Sequence, residues 1–457
     1  MYNKPQHIHF VGIGGIGMSG IAELLANLGH TVSGSDLKES ETTRRLAGLG
    51  ITIHLGHAAG NVAGADAVVY SSAVPEDNPE VIAAREAMVP VIPRAEMLAE
   101  LMRLKYGVAV AGAHGKTTAT SLVAALLAAG GLDPTVVVGG KLDALGTNAV
   151  LGGGEFLVAE ADESDGSFTR LSPVVVVVTN VDREHMEHYG SQEALDDAFV
   201  EFMNKVPFYG AAIICLDDPR LAGLIPRVNK RTITYGFAAQ AEVQARDLAG
   251  EGKKSRFNLY VAGEKAGAVE LNLPGRHNVL NVLAALAAAR ELGVDLTLAM
   301  AACAQVRGVR RRFEAVGQTP QGAEVVDDYA HHPTEIKATL EAARSCWPER
   351  RLVALFQPHR FSRTQDLWNE FTTAFYGADE LLVLDVYPAG EKPREGVDAA
   401  ALVEAIKSHG HRRAEYVGTL DQAVARLAGS LGPADVLFTM GAGSVWQAGR
   451  RLVEVEG

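Results

Sequence analysis

Short apolar runs alternate along the chain with longer stretches rich in alanine and leucine. Runs such as His7–Val11, Ala65–Tyr70 and Gly107–Ala111 each end at glycine or serine residues. The consecutive valines of Val174–Val178 suit a strand that is buried on both faces of a sheet. Because such strands alternate with helical stretches such as Met18–Leu28, the pattern predicts parallel, doubly wound α/β sheets.

The same pattern divides the chain into three predicted α/β domains, which span residues 1–105, 106–313 and 314–457. We expect the first and the last domain to be Rossmann-like. The central domain is expected to be of the P-loop ATPase type, because a glycine-rich loop precedes the predicted helix Thr117–Ala129. It also contains Ala238–Glu270, where polar residues and short alternating strands predict a small antiparallel sheet.

The composition of the 457 residues narrows the classes of function. A formal net charge of -13 argues against nucleic-acid binding, although local arginine and lysine clusters still allow anionic substrates. Cys215, Cys303 and Cys346 are odd in number and far apart, so a disulfide framework is not expected. No stretch approaches the roughly 18 apolar residues of a membrane helix. We therefore expect a cytoplasmic protein without a membrane span.

The strongest local signal is the segment Gly112–Thr118, which reads GAHGKTT and lies between a predicted strand and a predicted helix. Glycines such as Gly112 and Gly115 let backbone N–H groups turn toward phosphate oxygens, and the helix N-terminus adds partial positive charge. Lys116 would reach the terminal phosphates, and Thr117 would offer its hydroxyl to Mg²⁺. The spacing departs from the standard phosphate-loop motif. The alternative is a glycine-rich turn that carries an exposed lysine.

A second glycine-rich turn follows the first predicted strand and contains Gly12, Gly14, Gly15 and Gly17. Such a turn can bind a diphosphate at a helix N-terminus. With Asp36 on a ribose it would suit NAD in a dehydrogenase, and it would equally suit a UDP-sugar. A purely structural turn is the third interpretation, and the motif alone leaves these three open.

Residues that could hold a cation follow two further strands. Glu160 stands at the end of the predicted strand Phe156–Ala159, and His185 follows the strand that ends at Thr179. A carboxylate at the carboxyl end of a strand beside a phosphate loop is well placed for Mg²⁺. Either residue could instead belong to a solvated turn or cap a helix.

Two loops of the third segment follow predicted strands and concentrate histidines and arginines. They read DYAHHPT from Asp328 and HRFSRT from His359. Guanidinium groups on such loops suit a carboxylate or a phosphate ligand. The paired histidines also allow a zinc site, although no third ligand at metal spacing is evident in the sequence.

Taken in order, these segments resemble the Mur ligases of peptidoglycan assembly. The resemblance covers nearly the whole chain and all three predicted domains. It rests on the segments His9–Gly20, Gly112–Thr118, Gly275–Asn281, Arg311–Phe313, Asp328–Glu335 and His359–Thr364. The family has a short phosphate loop, which accounts for the departure of Gly112–Thr118 from the standard motif.

The resemblance implies an ATP-dependent amide ligase. ATP would phosphorylate the carboxylate of UDP-N-acetylmuramate, and the amine of L-alanine would attack the acyl phosphate and release phosphate. Siblings that add later amino acids carry a carbamylated lysine, whereas Ala198–Asn204 contains no lysine here. That difference favours the L-alanine reaction. The family often has Asp-His where this chain has Glu184 and His185, which leaves the role of Glu184 open.

The resemblance also implies roles for individual residues. The UDP-sugar would be bound in the first domain by Gly14, Gly15, Gly17, Met18, Ser19, Asp36, Ser71 and Ser72. The ATP nucleotide would be held by Gly112, Gly115, Lys116, Thr117, Thr118, His277, Asn278, Asn281, Arg312 and Asp328. Mg²⁺ would be held by Thr117, Glu160 and His185. L-Alanine would be surrounded by Tyr329, His331, His359, Arg360 and Arg363. The catalytic residues would be Lys116, Glu160, His185 and His331.

Other functions stay open at this point. An enzyme that joins a recycled tripeptide to the same sugar nucleotide would share the phosphate loop and much of the first domain. Folate polyglutamate ligases would share the central and last domains but lack the first. An NAD-dependent dehydrogenase would explain Gly12–Gly17 and leave Gly112–Thr118 unexplained. The sequence does not decide whether the chain forms a homodimer.

Overall fold

The computed structural model describes residues 4–71, 73–142, 147–306 and 308–454. Ser72, which the resemblance assigns to the UDP-sugar, lies outside the described residues. The chain forms two compact units. The first unit consists of Met1–Asp247, Phe257–Val269 and Leu280–Val306, and the second consists of Leu248–Arg256, Glu270–Val279 and Arg307–Gly457. Among the described residues, no helix combines the length and the apolar character that a membrane crossing requires.

The first sheet lies in the first unit and is parallel. Its strands are β1 His7–Val11, β2 Thr31–Asp36, β3 Thr52–Leu55, β4 Ala67–Tyr70 and β5 Val91–Pro93. The helices of this region are α1 Ile16–Asn27, α2 Glu41–Gly48, α3 Pro79–Glu86 and α4 Arg94–Met102. The strand order is β3-β2-β1-β4-β5. Strands β2 and β3 are added on one side of β1, and β4 and β5 are added on the other side, so the order reverses beside β1. Doubly wound sheets bind ligands at such a reversal, and the glycine turn follows β1 there, so the Rossmann-like prediction is confirmed.

The second sheet carries the phosphate loop. Its strands are β6 Tyr106–Ala111, β7 Thr135–Leu142, β8 Thr147–Val150, β9 Phe156–Glu160, β10 Val175–Val178, β11 Ala211–Cys215, β12 Thr232–Gly236, β13 Val243–Glu251, β14 Lys254–Val261 and β15 Glu264–Leu271. The helices are α5 Lys116–Ala129, α6 Met186–Tyr189, α7 Gln192–Met203, α8 Pro219–Leu224, α9 Arg276–Glu291 and α10 Leu296–Cys303. The strand order is β15-β14-β13-β12-β11-β10-β6-β9-β7-β8.

The centre of this sheet is parallel and buried. Strand β6 pairs in parallel with both β9 and β10, and every residue of β10 is buried, as the valine run predicts. Strands β13, β14 and β15 follow one another at one edge and are joined by short turns. Since short turns join antiparallel neighbours, the predicted antiparallel strands are present as an extension of the central sheet.

The third sheet lies in the second unit. Its strands are β16 Glu314–Gln318, β17 Glu324–Asp328, β18 Arg351–Phe356, β19 Glu380–Leu384, β20 Ala414–Gly418 and β21 Asp435–Met440, in the order β16-β17-β21-β18-β19-β20. The helices are α11 Pro333–Cys346, α12 Phe361–Asp366, α13 Trp368–Phe371, α14 Ala399–Ser408, α15 Leu420–Ala428 and α16 Trp446–Glu454. All strand pairs are parallel except β16 with β17.

Apolar side chains fill both faces of the third sheet. Along β18, Leu352, Ala354 and Phe356 pack into one buried cluster, whereas Val353 and Leu355 pack into the other. Successive side chains of a strand point to opposite faces, so a continuous apolar run serves both clusters. The polar residues that follow β17 and β18 are therefore left at the carboxyl ends of the strands, where an open α/β sheet binds its ligands.

Candidate active site

The phosphate loop turns sharply between β6 and α5, as the sequence predicts. Gly112 and Gly115 have φ angles of 131° and 80°, which residues with a Cβ rarely adopt. His114 N donates to Asn180 Oδ1 (2.8 Å), and Asn180 Nδ2 donates back to His114 O (2.9 Å). A Cβ at Gly112 would lie 3.0 Å from backbone atoms of Asn180. These contacts fix the loop at the N-terminus of α5, where backbone N–H groups favour an anion.

Lys116 is the first residue of α5, and its ammonium contacts the acidic segment at the end of β9, which is Glu160–Asp165 and reads EADESD. Nζ lies 2.8 Å from Glu163 Oε1 and donates to the carbonyls of Gly112 (2.6 Å) and Ala113 (3.1 Å). Burial alone would lower the pKa of Lys116, but the nearby carboxylates, Glu163 first among them, outweigh it and raise this pKa. The lysine therefore keeps its charge. The sequence alone does not assign a role to Glu163, because its approach to Lys116 depends on the path of the chain after β9.

Two of the residues assigned to Mg²⁺ lie in contact with each other. Thr117 Oγ1 donates to Glu160, at 3.0 Å from Oε2 and 3.2 Å from Oε1. Glu160 ends β9, which pairs with β6, the strand that leads into the phosphate loop. Hydroxyl and carboxylate oxygens are ligands that Mg²⁺ prefers. The pair therefore fits a Mg²⁺ site beside the loop.

The third residue assigned to Mg²⁺, His185, lies next to two further carboxylates. Its Nε2 is 3.8 Å from Glu163 Oε1 and 3.7 Å from Glu184 Oε2. One ligand atom from each of these three residues lies within 4.8 Å of the others, a spacing that suits a metal ion. Burial lowers the pKa of His185, although Glu184 opposes the shift, and the neutral ring can serve as a ligand. Glu163 contacts both His185 and Lys116 and so connects the histidine with the phosphate loop.

The glycine turn of the first domain is held by the end of β2. The N–H groups of Gly12 and Ile13 donate to Ser35 O (2.9 and 3.0 Å), and Gly14 N donates to Asp36 Oδ2 (2.9 Å). Asp36, which the resemblance assigns to the UDP-sugar, therefore supports the turn with its own carboxylate. Its contact with a ribose or a base stays a prediction.

Other residues assigned to the UDP-sugar lie beside or beneath this turn. A Cβ at Gly12 would lie 3.9 Å from Ser71 Cβ, which places Ser71 next to the turn. Met18 and Ser19 are buried, and their N–H groups donate to Gly15 O (3.1 and 2.9 Å) as α1 begins. The backbone of the turn is thus the polar surface available to a ligand, and a role for the Met18 and Ser19 side chains stays a prediction.

Three of the residues assigned to the ATP nucleotide lie at the start of α9, namely His277, Asn278 and Asn281. Within the first unit, Asn281 packs against the phosphate loop, since a Cβ at Gly115 would lie 2.6 Å from Asn281 Oδ1. Within the second unit, Asn278 Nδ2 donates to Pro274 O (2.7 Å). Thr118, in the first turn of α5, is buried. Asn281 therefore has a geometric link to the loop.

Asp328 is buried at the end of β17 and holds the segment before β16. Its Oδ2 accepts from Phe313 N (3.0 Å), and its Oδ1 accepts from Ala330 N (2.8 Å). Burial raises the pKa of Asp328 to about 6. Arg311 reinforces the same segment, because its Nε donates to Asp327 Oδ2 (2.9 Å). The segment Arg311–Phe313 is thereby fixed to the third sheet.

Within the second unit, the charge of Arg312 acts on the nearby His277. The Arg312 guanidinium lies 5.0 Å from the centre of the Tyr329 ring and 3.4 Å from Glu335 Oε1. Burial lowers the pKa of His277 to about 4, with Glu335 opposing this shift and Arg312 adding to it. His277 is therefore neutral at physiological pH, which suits a ring that meets a nucleotide base.

The residues assigned to L-alanine are brought together at the carboxyl ends of β17 and β18. The ring centroids of His331 and His359 are 5.9 Å apart, and those of Tyr329 and His331 are 5.4 Å apart. Arg363 Nη1 lies 3.3 Å from His359 Nδ1. Burial lowers the pKa of His359 to about 3, with His331 and Arg363 adding to the shift. The group thus offers guanidinium cations beside a neutral imidazole.

The loop after β19, which was not predicted from the sequence, supports the loop that carries the arginines. Arg360 has a φ of 69°, and its N–H donates to Tyr387 O (2.8 Å). The Tyr387 ring stacks on His359 at 5.5 Å with an interplanar angle of 8°. Glu391 accepts from Ser362 N (2.9 Å) and Ser362 Oγ (2.5 Å). The available signal was the position of this loop at the end of another predicted strand.

Three family profiles match the chain in succession. The profile described as Mur ligase family, catalytic domain, matches residues 7–106. The Mur ligase middle domain matches residues 110–289, and the Mur ligase, glutamate ligase domain matches residues 311–443.

Similar proteins extend over nearly the whole chain. UDP-N-acetylmuramate–L-alanine ligase of Geobacter sulfurreducens is 56% identical over 454 residues, which are 99% of this chain and 98% of that protein. The protein of the same name from Desulfatibacillum aliphaticivorans is 56% identical over 453 residues, 99% of each chain. Among solved structures, UDP-N-acetylmuramate-alanine ligase of Thermotoga maritima has a TM-score of 0.83 at 32% identity, with 98% of both chains covered. A murein peptide ligase from Psychrobacter arcticus has a TM-score of 0.71 at 25% identity, again with 98% of both chains covered.

Proposed function

The chain belongs to the Mur ligase family, and we propose that it joins L-alanine to UDP-N-acetylmuramate with ATP, as a step of peptidoglycan precursor synthesis. One observation carries the proposal. At 56% identity over 99% of the chain, the similar proteins bear the name of that reaction. The chain also retains a phosphate loop with a charged lysine, which an ATP-dependent ligase requires.

The proposed reaction has two chemical steps. An oxygen of the muramyl carboxylate attacks the γ-phosphorus of ATP, which forms an acyl phosphate and releases ADP. The amine of L-alanine then attacks the carbonyl carbon, the C–O bond to phosphate breaks, and phosphate leaves while the amine nitrogen loses a proton as the amide forms. Lys116 acts on the first step, because its ammonium can stabilise charge on the transferring phosphoryl group. To do so, Lys116 must exchange Glu163 and the loop carbonyls for phosphate oxygens.

We propose Thr117, Glu160 and His185 as the residues that hold Mg²⁺. When bound, Mg²⁺ neutralises phosphate oxygens and orients them for transfer. The contact between Thr117 Oγ1 and Glu160 supports the first two assignments. Glu163 and Glu184, beside His185, give the site further carboxylate oxygens. The same residues would position the phosphate chain relative to Lys116.

The remaining assignments follow the three predicted domains. We propose that 1–105 binds the UDP-sugar, 106–313 binds ATP and 314–457 binds L-alanine. In the last domain the Arg360 and Arg363 guanidinium groups would grip the L-alanine carboxylate through paired hydrogen bonds. His331 and His359 would line the same site, and the neutral ring of His359 can accept a hydrogen bond without repelling the amine.

A cytoplasmic location is part of the proposal. ATP and nucleotide sugars are intracellular substrates, so the enzyme must be in the same compartment as these substrates. The cysteines of the chain are free thiols, which suits a reducing compartment.

Phosphate release from ATP tests the proposed function. The purified chain is mixed with ATP, Mg²⁺ and UDP-N-acetylmuramate, and single amino acids and the recycled tripeptide are added in separate reactions. The proposal expects release with L-alanine, and the product should gain the mass of one alanyl residue. Release with the tripeptide but not with L-alanine would replace this function with that of a recycling ligase.

A further inference from the structure

Arg94 places a cation beside the glycine turn of the first domain. It begins α4, and its guanidinium lies against Gly17 in the first turn of α1. A Cβ at Gly17 would lie 3.1 Å from both Cδ and Nη1 of Arg94. A side chain at position 17 would therefore fill the space in which the guanidinium lies. Arg94 thus adds a full positive charge to a helix N-terminus that already favours an anion.

The same guanidinium reaches the acidic segment beside the phosphate loop. Arg94 Nη2 lies 3.5 Å from Asp162 Oδ2, and both residues belong to the first unit. Asp162 stands between Glu160 and Glu163, the two carboxylates that contact the phosphate loop. Arg94 is therefore in contact with both the glycine turn of the first domain and the acidic segment of the second.

The pair of Arg94 and Asp162 is loose enough to exchange. Its 3.5 Å separation exceeds that of a strong charged hydrogen bond, and the side chains are 23% and 45% exposed. Ion pairs of this kind contribute little to stability. A ligand oxyanion that accepts paired hydrogen bonds from the guanidinium would bind it more strongly than Asp162 does.

We propose that Arg94 is a binding residue for an oxyanion of the UDP-sugar and that it leaves Asp162 when the UDP-sugar binds. This inference rests on the proposed function, since UDP-N-acetylmuramate presents two kinds of oxyanion. Its diphosphate would lie at the glycine turn, and its carboxylate must approach Lys116 beside the acidic segment. Arg94 is in contact with both places, so either group could be its partner.

A second ion pair of α4 provides a matched control. Glu96, two residues after Arg94, pairs with Arg170 at 3.2 Å, and these side chains are 43% and 55% exposed. Arg170 ends the short helical turn Ser167–Arg170, which follows the same acidic segment. This pair also connects α4 with the central domain, whereas the three heavy atoms nearest to a Cβ at Gly17 all belong to Arg94.

The test is equilibrium binding without ATP, measured by calorimetry on the full chain. UDP-N-acetylmuramate and UDP are the two ligands, and the variants are Arg94→Ala, Arg94→Lys, Asp162→Asn and Arg170→Ala. Arg94→Ala should raise the Kd for UDP-N-acetylmuramate at least about tenfold, as expected for a lost charge-assisted pair. Arg94→Lys should recover part of the loss. Asp162→Asn should leave the Kd unchanged or lower it, because it frees the guanidinium, and Arg170→Ala should leave it unchanged.

The ligand pair identifies the oxyanion. If Arg94→Ala weakens the binding of both ligands, the partner is the diphosphate; if it weakens the binding of UDP-N-acetylmuramate only, the partner is the carboxylate.

Equal losses of affinity in Arg94→Ala and Asp162→Asn would overturn the inference, since a purely structural ion pair predicts that both variants have the same effect. A wild-type Kd in Arg94→Ala would also overturn it. Melting temperatures and the Kd for ATP identify a variant that misfolds. If Arg94→Ala misfolds, the Kd values of Arg94→Lys and Asp162→Asn for UDP-N-acetylmuramate test the inference in its place. If the wild-type chain itself does not bind UDP-N-acetylmuramate, the proposed function fails first.

Discussion

Lys116 depends on groups from several parts of the chain for its position. Two loop carbonyls accept from its ammonium, and Glu163 pairs with it across 47 positions of sequence. The neighbouring carboxylates overcome the effect of burial and keep the ammonium charged. A charged ammonium held beside the phosphate loop can stabilise the negative charge of a transferring phosphoryl group once it has exchanged these partners for phosphate oxygens.

Replacement of Lys116 by alanine should therefore leave the fold intact and lower kcat at least about a hundredfold, the usual effect of losing one such contact. The measurement is phosphate release at saturating ATP, UDP-N-acetylmuramate and L-alanine. Lys205→Ala is the control, because Lys205 forms a surface ion pair with Glu201 (3.3 Å). A near-normal kcat in Lys116→Ala would remove the phosphate-loop assignment.

Arg360 and Arg363 should differ from lysine in how they hold a carboxylate. A guanidinium donates two parallel hydrogen bonds, which an ammonium cannot reproduce. We predict that Arg360→Lys or Arg363→Lys raises the KM for L-alanine at least about tenfold, equivalent to about 1.4 kcal/mol. The KM values for ATP and UDP-N-acetylmuramate should change little.

Steady-state kinetics with one substrate varied at a time provide the test. Arg394→Lys is a suitable control, because Arg394 is exposed and donates to Gln365 Oε1 (2.7 Å). Two variants with a wild-type KM for L-alanine would remove the main support for the amino-acid site. A loss of ATP affinity in both would assign these arginines to the phosphate site instead.

At the scale of elements, loops that follow neighbouring strands support one another. The loop after β18 carries Arg360, and the loop after β19 holds it through Tyr387 O and through the bonds from Ser362 to Glu391. The left-handed φ of Arg360 is costly for a residue with a Cβ, so the conformation needs such support.

Glu391→Ala should therefore raise the KM for L-alanine by roughly three- to tenfold, as expected when hydrogen bonds to a carboxylate are lost. The KM for ATP should stay constant, since Glu391 acts through the arginine loop. The control is Glu395→Ala, at an exposed position of the same loop. Equal effects of both variants on KM would mean that the hydrogen bonds from Ser362 to Glu391 have no specific positioning role.

A buried carboxylate connects the elements of the first sheet. Glu80, at the start of α3, accepts from Ser35 Oγ on β2 (2.5 Å) and from Asn61 Nδ2 (2.5 Å). Burial by itself would raise the pKa of Glu80, but the nearby His9 and the hydrogen bonds from Ser35 and Asn61 lower it from 4.5 to about 2. Since the folded pKa is below the ordinary value, this carboxylate stabilises the fold above pH 4.5, and the contribution is lost as the pH falls toward 2.

We predict that Glu80→Gln lowers the melting temperature by the same amount at pH 7 and pH 6, with a stability loss on the order of 1–3 kcal/mol. The difference from wild type should shrink at pH 4. Scanning calorimetry at the three pH values measures it, with Glu86→Gln at the exposed end of α3 as the control. A difference that grows as the pH falls would contradict the sign of this pKa shift.

The sequence predicted those features that depend on local pattern. Apolar runs located the strands that matter for the site, and Lys116 was identified because strand, glycine loop and helix are consecutive. Glu163, Tyr387 and Arg94 were missed, because each acquires its role from a contact with a distant segment. Asp36 was assigned to a ligand, yet its Oδ2 accepts from Gly14 N, a contact that depends on the register of β1 and β2.

At the scale of the whole molecule, the proposed reaction requires all three domains. The UDP-sugar, ATP and L-alanine would each bind at the carboxyl ends of strands in a different sheet. Similar proteins match this chain over 99% of its length, which is what a function distributed over three domains demands. The central claim is therefore that the carboxylate of the sugar nucleotide is activated by ATP before the amine attacks it.

Oxygen transfer tests this claim most directly. UDP-N-acetylmuramate is labelled with ¹⁸O in its carboxylate and incubated with the chain, ATP, Mg²⁺ and L-alanine. If an acyl phosphate forms, one carboxylate oxygen leaves with phosphate, so the account predicts ¹⁸O in the released phosphate and a single labelled oxygen in the amide product. Amide product with unlabelled phosphate would contradict the account, because ATP would then not have activated that carboxylate.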